Sequence, residues 1–307
     1  MTACSDASAA LAEPVAATAP VAAWWLVLEQ SGPWGAKALT QSHLDPELGA
    51  QLDDAAGAHG GRVALVRRPR RHADTGGPVS HRVWLAWTRP GATRLLGGWT
   101  AEPAALGALP WRAVEEGDHE SVLAHLPFLR AESHPLLLVC TNGRRDVCCA
   151  TKGRQLVQQL RDRVVGRVWE TTHLGGHRFA PTTALLPHGV VHGRLDAGTA
   201  ERVVSHARAG RLLPDGYRGR STYSRPGQAA EAEVRRVTGA AGLDDLAVDR
   251  VDALDSATWQ ATVSHRGGGR WSVSVRATTL EPARPESCGK DAARPVSYRA
   301  EVTTTEP

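Results

Sequence analysis

PLLLVCTNGRRDVCCATKGRQLVQQL, residues 135–160, joins a short apolar run to a cysteine-flanked loop and then to a helical pattern. Leu136 to Val139 read as a buried strand. Leu156, Leu160 and Val164 fall four apart with Val157 beside them, the spacing of one buried helix face. RVWE at 167–170 supplies the next strand, TTALLPHGVVHGRL at 182–195 reads as a hairpin, and Thr199 to Arg208 as a closing helix. Strand, helix, strand, hairpin, helix is a thioredoxin-like order, so the fold class is α/β in the broader α+β sense. The loop within it carries Cys140, Cys148 and Cys149, three of only five cysteines in the chain.

Upstream, WWLVLEQ (24–30) looks like a buried strand. SGPWG breaks it, and a helical stretch starts at Asp45 with Pro46 just inside. RVALVRR, HRVWLAW and TRLLGGW supply three more strands, and the pattern loosens around Pro103 to Pro110. A length of 307 residues exceeds what one hydrophobic core usually covers. Three units are therefore expected. Residues 1–125 form an α/β domain that repeats much of the element order without the cysteines and reads as a degenerate thioredoxin-like copy. Residues 126–215 form the cysteine-bearing domain. Residues 216–307 form an appendage, linker-like past GYRGRS, with a helix from Gln228 to Val237 and then alternating stretches WQATVSH, RWSVSVRA and VSYRAEV. Trp271, Val273 and Val275 share one face of an antiparallel sheet packed on one side only.

Composition restricts the compartment and the partners. Five cysteines are odd and sparse, which argues against a disulfide framework and for a reducing, cytoplasmic setting. The N-terminal stretch lacks a basic region and is broken by Pro14 and Pro20, so no secretory signal is read there, and no apolar run is long enough for a membrane. Net charge is +4, and the cluster RRPRR at 67–71 reads as a solvated loop rather than a nucleic-acid patch, since no aromatic interleaving accompanies it.

The chemistry lies in two loops. Cys140 ends one strand, and His173 follows the next in THLGGHRFAP, four residues before His177. If those strands are parallel neighbours, their following loops emerge on one side of the sheet, where open α/β sheets bind ligands. Gly175 and Gly176 argue against a helix between the histidines and for a turn that brings both rings to one point. Two thiolates and two imidazoles suit zinc or a mixed-ligand iron-sulfur cluster. The eight residues between Cys140 and Cys149 are wide for a zinc knuckle and comfortable around two irons.

CTNGRRDVCCATKGR with WETTHLGGHRFAPTTALLPHGVVHGRL resembles the sucrase/ferredoxin-like family, and weaker similarity extends to GPWGAKAL and RPESCGK. The resemblance implies a thioredoxin-like ferredoxin carrying a 2Fe-2S cluster, with Cys140, Cys149, His173 and His177 as its ligands and a redox partner protein as its electron donor or acceptor. It favours Cys149 over Cys148 as ligand. Cys4 and Cys288, far off in sequence, read as non-ligands, and Arg144, Arg145 and Arg178 as solvated side chains or as positive charge near the cluster. Imidazole ligands with a solvent-reaching second nitrogen would couple electron to proton transfer. No marked carboxylate pair supports glycoside hydrolysis, and no phosphate-binding loop or dinucleotide fingerprint is present. A zinc-stabilised Cys2His2 binding module and a thiol redox enzyme stand as alternatives.

Overall fold

A computed structural model describes residues 3–69, 80–164 and 166–306. Of RRPRR, Arg70 and Arg71 lie outside the described residues. Helices are α1 (Cys4–Ala10), α2 (Pro46–Ala58), α3 (Trp111–Glu116), α4 (His119–His125), α5 (Arg154–Leu160), α6 (Ala197–Arg208) and α7 (Arg225–Thr238). Ten strands form one mixed sheet: β1 (Trp24–Glu29), β2 (Gly61–Arg67), β3 (His81–Trp87), β4 (Arg94–Thr100), β5 (Arg130–Ala131), β6 (Leu136–Cys140), β7 (Val168–Thr171), β8 (Thr182–Leu186), β9 (Val190–Gly193) and β10 (Tyr217–Arg220). Their order is β10-β9-β8-β6-β7-β2-β1-β3-β4-β5.

The same strand arrangement occurs twice in this sheet. β1 is parallel to β2 and antiparallel to β3, which is antiparallel to β4. β6 is parallel to β7 and antiparallel to β8, which is antiparallel to β9. The copies meet through their equivalent strands, β2 and β7, which run antiparallel with Val66 opposite Thr171 and Arg67 opposite Glu170. That relation is a local two-fold axis normal to the sheet.

Alternation along each strand sorts the side chains into layers. On one face, Trp24, Leu26 and Leu28 pack with Leu52 of α2 in the first half, while Leu137 and Val139 pack with Leu156, Leu160 and Val203 in the second. The other face is a single apolar layer spanning both halves. Trp25, Val27 and Trp84 continue into Leu138, Cys140 and Trp169, with Trp84 and Trp169 edge-on at 4.9 Å. The join also carries a buried ion pair. Arg67 reaches Glu170 at 2.8 Å, stacks over Trp34, and shares Glu170 with the hydroxyl of Thr141. Arg67 is thus built into the sheet, which corrects the solvated-loop reading of this part of RRPRR.

The appendage is a four-stranded antiparallel sheet, β11 (Leu246–Ala253), β12 (Thr258–His265), β13 (Arg270–Thr279) and β16 (Val296–Glu306), while a two-residue pair, β14 (Arg284–Pro285) and β15 (Ala292–Ala293), interrupts the excursion between the last two. Val273 and Val275 face Ala230 and Val234 of α7, on one side only. GYRGRS, placed with the appendage by the sequence, belongs to the main sheet. It forms β10, with Arg218 and Arg220 buried, because each guanidinium finds polar partners inside: Arg220 bonds Asp244 and the Leu243 carbonyl. The loosened stretch after β4 is a 3-10 turn over Pro103–Ala108 followed by α3 and α4.

Candidate metal centre

β6 and β7 are parallel, with Cys140 opposite Thr171, so the loops after them leave the sheet together. Cys140 is the last residue of β6. The chain then turns through Asn142 to Asp146 and re-enters helix at a single π turn, Cys149–Gly153, which leads straight into α5. The π turn needs Gly153, because a Cβ there would collide with the carbonyl oxygen of Cys140. This close approach sets Cys149 beside Cys140.

The histidine loop is equally constrained. Gly175 and Gly176 both hold left-handed backbone, with φ of 79° and 71°, and a short 3-10 turn begins at His177. A side chain at Gly176 would run into the guanidinium of Arg218. The turn stacks the rings of His173 and His177 at 4.3 Å, their planes 23° apart.

The four side chains form a closed ring of neighbours. The Cys140 thiol neighbours Cys149 and His173, and Cys149 Sγ lies 3.4 Å from His177 Nδ1. Hydrogen bonding with Cys149 holds Cys140 well below the usual thiol range against its burial, and His173 and the backbone N–H groups of Leu174 and Asn142 add to the effect. Cys149 is pushed upward, first by its hydrogen bond to Cys140 and then by burial, so one proton is held between two sulfurs. Burial and the neighbouring His173 lower His177 to about 4, which keeps its imidazole neutral near pH 7, the form that ligates a metal.

Two arginines that the sequence did not single out hold this loop. Arg218, 1% exposed, donates to the carbonyl of Gly175 and to Thr18 Oγ1, both within 3.0 Å. Burial lowers it to about 9, which leaves it charged at neutral pH. Arg62 donates to the carbonyl of His173. Arg178, next to a histidine, is committed elsewhere. It pairs with Glu13 at 2.7 Å and Glu286 at 3.4 Å, so its charge is compensated rather than turned on the histidines. Although burial opposes ionisation, hydrogen bonds from Arg178 and Arg284 keep Glu13 below the usual carboxylate range.

His173 is half-buried and lines a cleft of about 630 Å³ together with Lys37, Arg62, Asn142 and Arg145. His177 is buried beneath it. The remaining cysteines do not scatter. Cys148 is buried and points away from Cys149 toward Cys4 and Cys288, with Sγ separations of 3.5 and 3.2 Å. Cys4 and Cys288, far off in sequence, reach the cysteine loop because α1 and the segment after β14 fold back against it.

Among the described residues no helix is long and apolar enough to cross a membrane. A family model described as sucrase/ferredoxin-like matches residues 15–219, which span the ten-stranded sheet up to β10 and exclude RPESCGK. No curated protein and no solved structure matches the chain.

Proposed function

The chain belongs to the sucrase/ferredoxin-like family, and on that premise we propose that it is a one-electron carrier in which Cys140, Cys149, His173 and His177 hold a 2Fe-2S cluster. The observation carrying this reading is the closed ring of two thiols and two imidazoles, built from two loops that each depend on a glycine contact. Such a group supplies reversible one-electron transfer, at a potential raised because two neutral imidazoles replace two thiolates.

The chain's own residues support that chemistry in four ways. The N–H groups of Leu174 and Asn142 favour Cys140 as thiolate. His177 is already neutral and needs no deprotonation to ligate. Arg218 places a buried positive charge behind the loop, which favours an added electron. His173, on the cleft, gives electrons a short route to a redox partner protein and leaves its ring accessible to solvent protons.

Protein purified without oxygen tests the reading. Iron and acid-labile sulfide in equal amounts, with an EPR signal on reduction, are expected. Colourless protein with zinc bound to these four residues would replace the carrier by a zinc-stabilised module. Proton coupling has its own readout. Where the ring on the cleft loses a proton more easily in the oxidised state, the midpoint potential falls by roughly 59 mV per pH unit. A potential flat across neutral to alkaline pH removes proton coupling and leaves the carrier.

A further inference from the structure

Three sulfurs outside that ring converge from three remote segments. Cys4 opens α1, Cys148 immediately precedes the π turn, and Cys288 lies between β14 and β15. Their Sγ atoms form a triangle with sides of 3.5 Å (Cys4 to Cys148), 3.2 Å (Cys148 to Cys288) and 3.6 Å (Cys288 to Cys4). Asp146 stands over the triangle, its two carboxylate oxygens 3.9 and 3.8 Å from Cys4 Sγ. The four side chains each offer a donor atom, all within 4.8 Å of one another.

Burial alone explains one cysteine in an apolar pocket, not three sulfurs and a carboxylate aimed at a common point. Disulfide bonding does not explain it either, because a bond needs about 2.05 Å and would leave one of three sulfurs over. A tetrahedral metal does. With zinc–sulfur bonds of about 2.3 Å, thiolates around zinc sit ~3.8 Å apart, slightly wider than this triangle. Asp146 is also fixed as a ligand should be. The backbone N–H of Cys148 donates to Oδ1, while Ser287 Oγ and the N–H of Cys288 donate to Oδ2, at 2.7 to 2.8 Å. The carboxylate is 3% exposed.

We propose that Cys4, Cys148, Cys288 and Asp146 form a closed, four-coordinate zinc site that clamps α1 and the β14–β15 segment to the cysteine loop. Four protein ligands leave no open position, so the site is structural rather than catalytic. It supplies what the local fold lacks. Strands of two residues give β14 and β15 little stability of their own, and α1 is only seven residues long. Because Cys148 precedes Cys149, the clamp also immobilises the backbone that presents a thiol to the neighbouring ring of donors. The proposed ligand sets do not overlap, although the Asp146 carboxylate also lies within 4.8 Å of the donor atoms of Cys149 and His177, so the clamp borders the other ring while its metal is counted separately.

The test uses the full chain, produced with zinc and iron both supplied and purified without oxygen. One tightly held zinc per chain is expected. It should remain in His173→Ala/His177→Ala, where the other donor ring is broken, and be lost in Cys4→Ala/Cys288→Ala while iron stays. Zinc-edge X-ray absorption of the wild type should show three sulfurs near 2.3 Å and one oxygen near ~2.0 Å. That spectrum decides the matter even if an alanine variant fails to fold. A two-sulfur, two-nitrogen shell, zinc unaffected by Cys4→Ala/Cys288→Ala, or zinc-free wild type with these thiols free or joined in a disulfide would each overturn the proposal.

Discussion

Arg218 carries its charge into the interior and ends behind the histidine loop, bonded to Gly175 and Thr18. At an effective dielectric of about 20 a buried unit charge near the site contributes on the order of 1 kcal/mol, which is some tens of millivolts for a one-electron couple. Arg218→Met should therefore lower the midpoint potential by some tens of millivolts, whereas Arg178→Met, which removes a charge already paired with Glu13, should move it far less. Redox titration of both variants separates the two roles. Alanine at Cys140, Cys149, His173 or His177 should each abolish or disturb iron binding, read as lost visible absorption. The meeting of these four residues could be read from the sequence because two neighbouring parallel strands carry them to the same side. Arg218 could not, since inside GYRGRS a buried arginine has the same appearance as a solvated one. Nor could Cys4 and Cys288, which lie 144 and 140 positions from Cys148 and approach it only through the path of the chain between.

Among the elements, the π turn before α5 depends on the contact between Gly153 and the Cys140 carbonyl. Gly153→Ala forces that backbone apart and displaces Cys149 from Cys140. Iron content should fall sharply while far-UV circular dichroism stays close to wild type, because the rest of the fold does not depend on this contact. The join between β2 and β7 offers a second test. Removing one member of the buried Arg67–Glu170 pair strands the other and should cost about 3–5 kcal/mol, whereas Arg67→Met/Glu170→Met together should come close to neutral. Denaturant unfolding of single and double variants gives the comparison. Strands such as WWLVLEQ and HRVWLAW were legible as unbroken apolar runs, as sheets buried on both faces require. The pairing of β2 with β7 was not, because interior strands of separate domains and of one shared sheet have the same composition.

Across the molecule, acid should act through histidine before carboxylate. His192 is buried, lies 3.0 Å through Nε2 from the Leu213 carbonyl, and is lowered to about 4 chiefly by desolvation; His188 is lowered similarly by burial and the nearby Arg220. In the unfolded chain both take up protons near pH 6.5. Their contribution to stability is therefore complete above pH 6.5 and is lost as pH falls toward 4, by roughly 3 kcal/mol for His192. Glu13 and Asp146, held low in the fold, lose their contribution only further down, below about pH 4.5. Stability should thus already decline between pH 6.5 and 4.5, and His192→Leu should flatten that slope in denaturant titrations at stepped pH.

The local two-fold axis between β2 and β7 means that the second half is completed by the first. Cut away at residue 125, the donor-bearing half would present β7 as a bare rim of unsatisfied amides, and the surface best shaped to cover it is another β7. Such a fragment should pair with itself, two-fold and symmetrical, with a donor ring in each copy, which sedimentation would detect at twice the fragment mass. Seen this way the intact chain is arranged like a dimer threaded onto one polypeptide, in which one half carries the thiols and imidazoles and the other closes the seam.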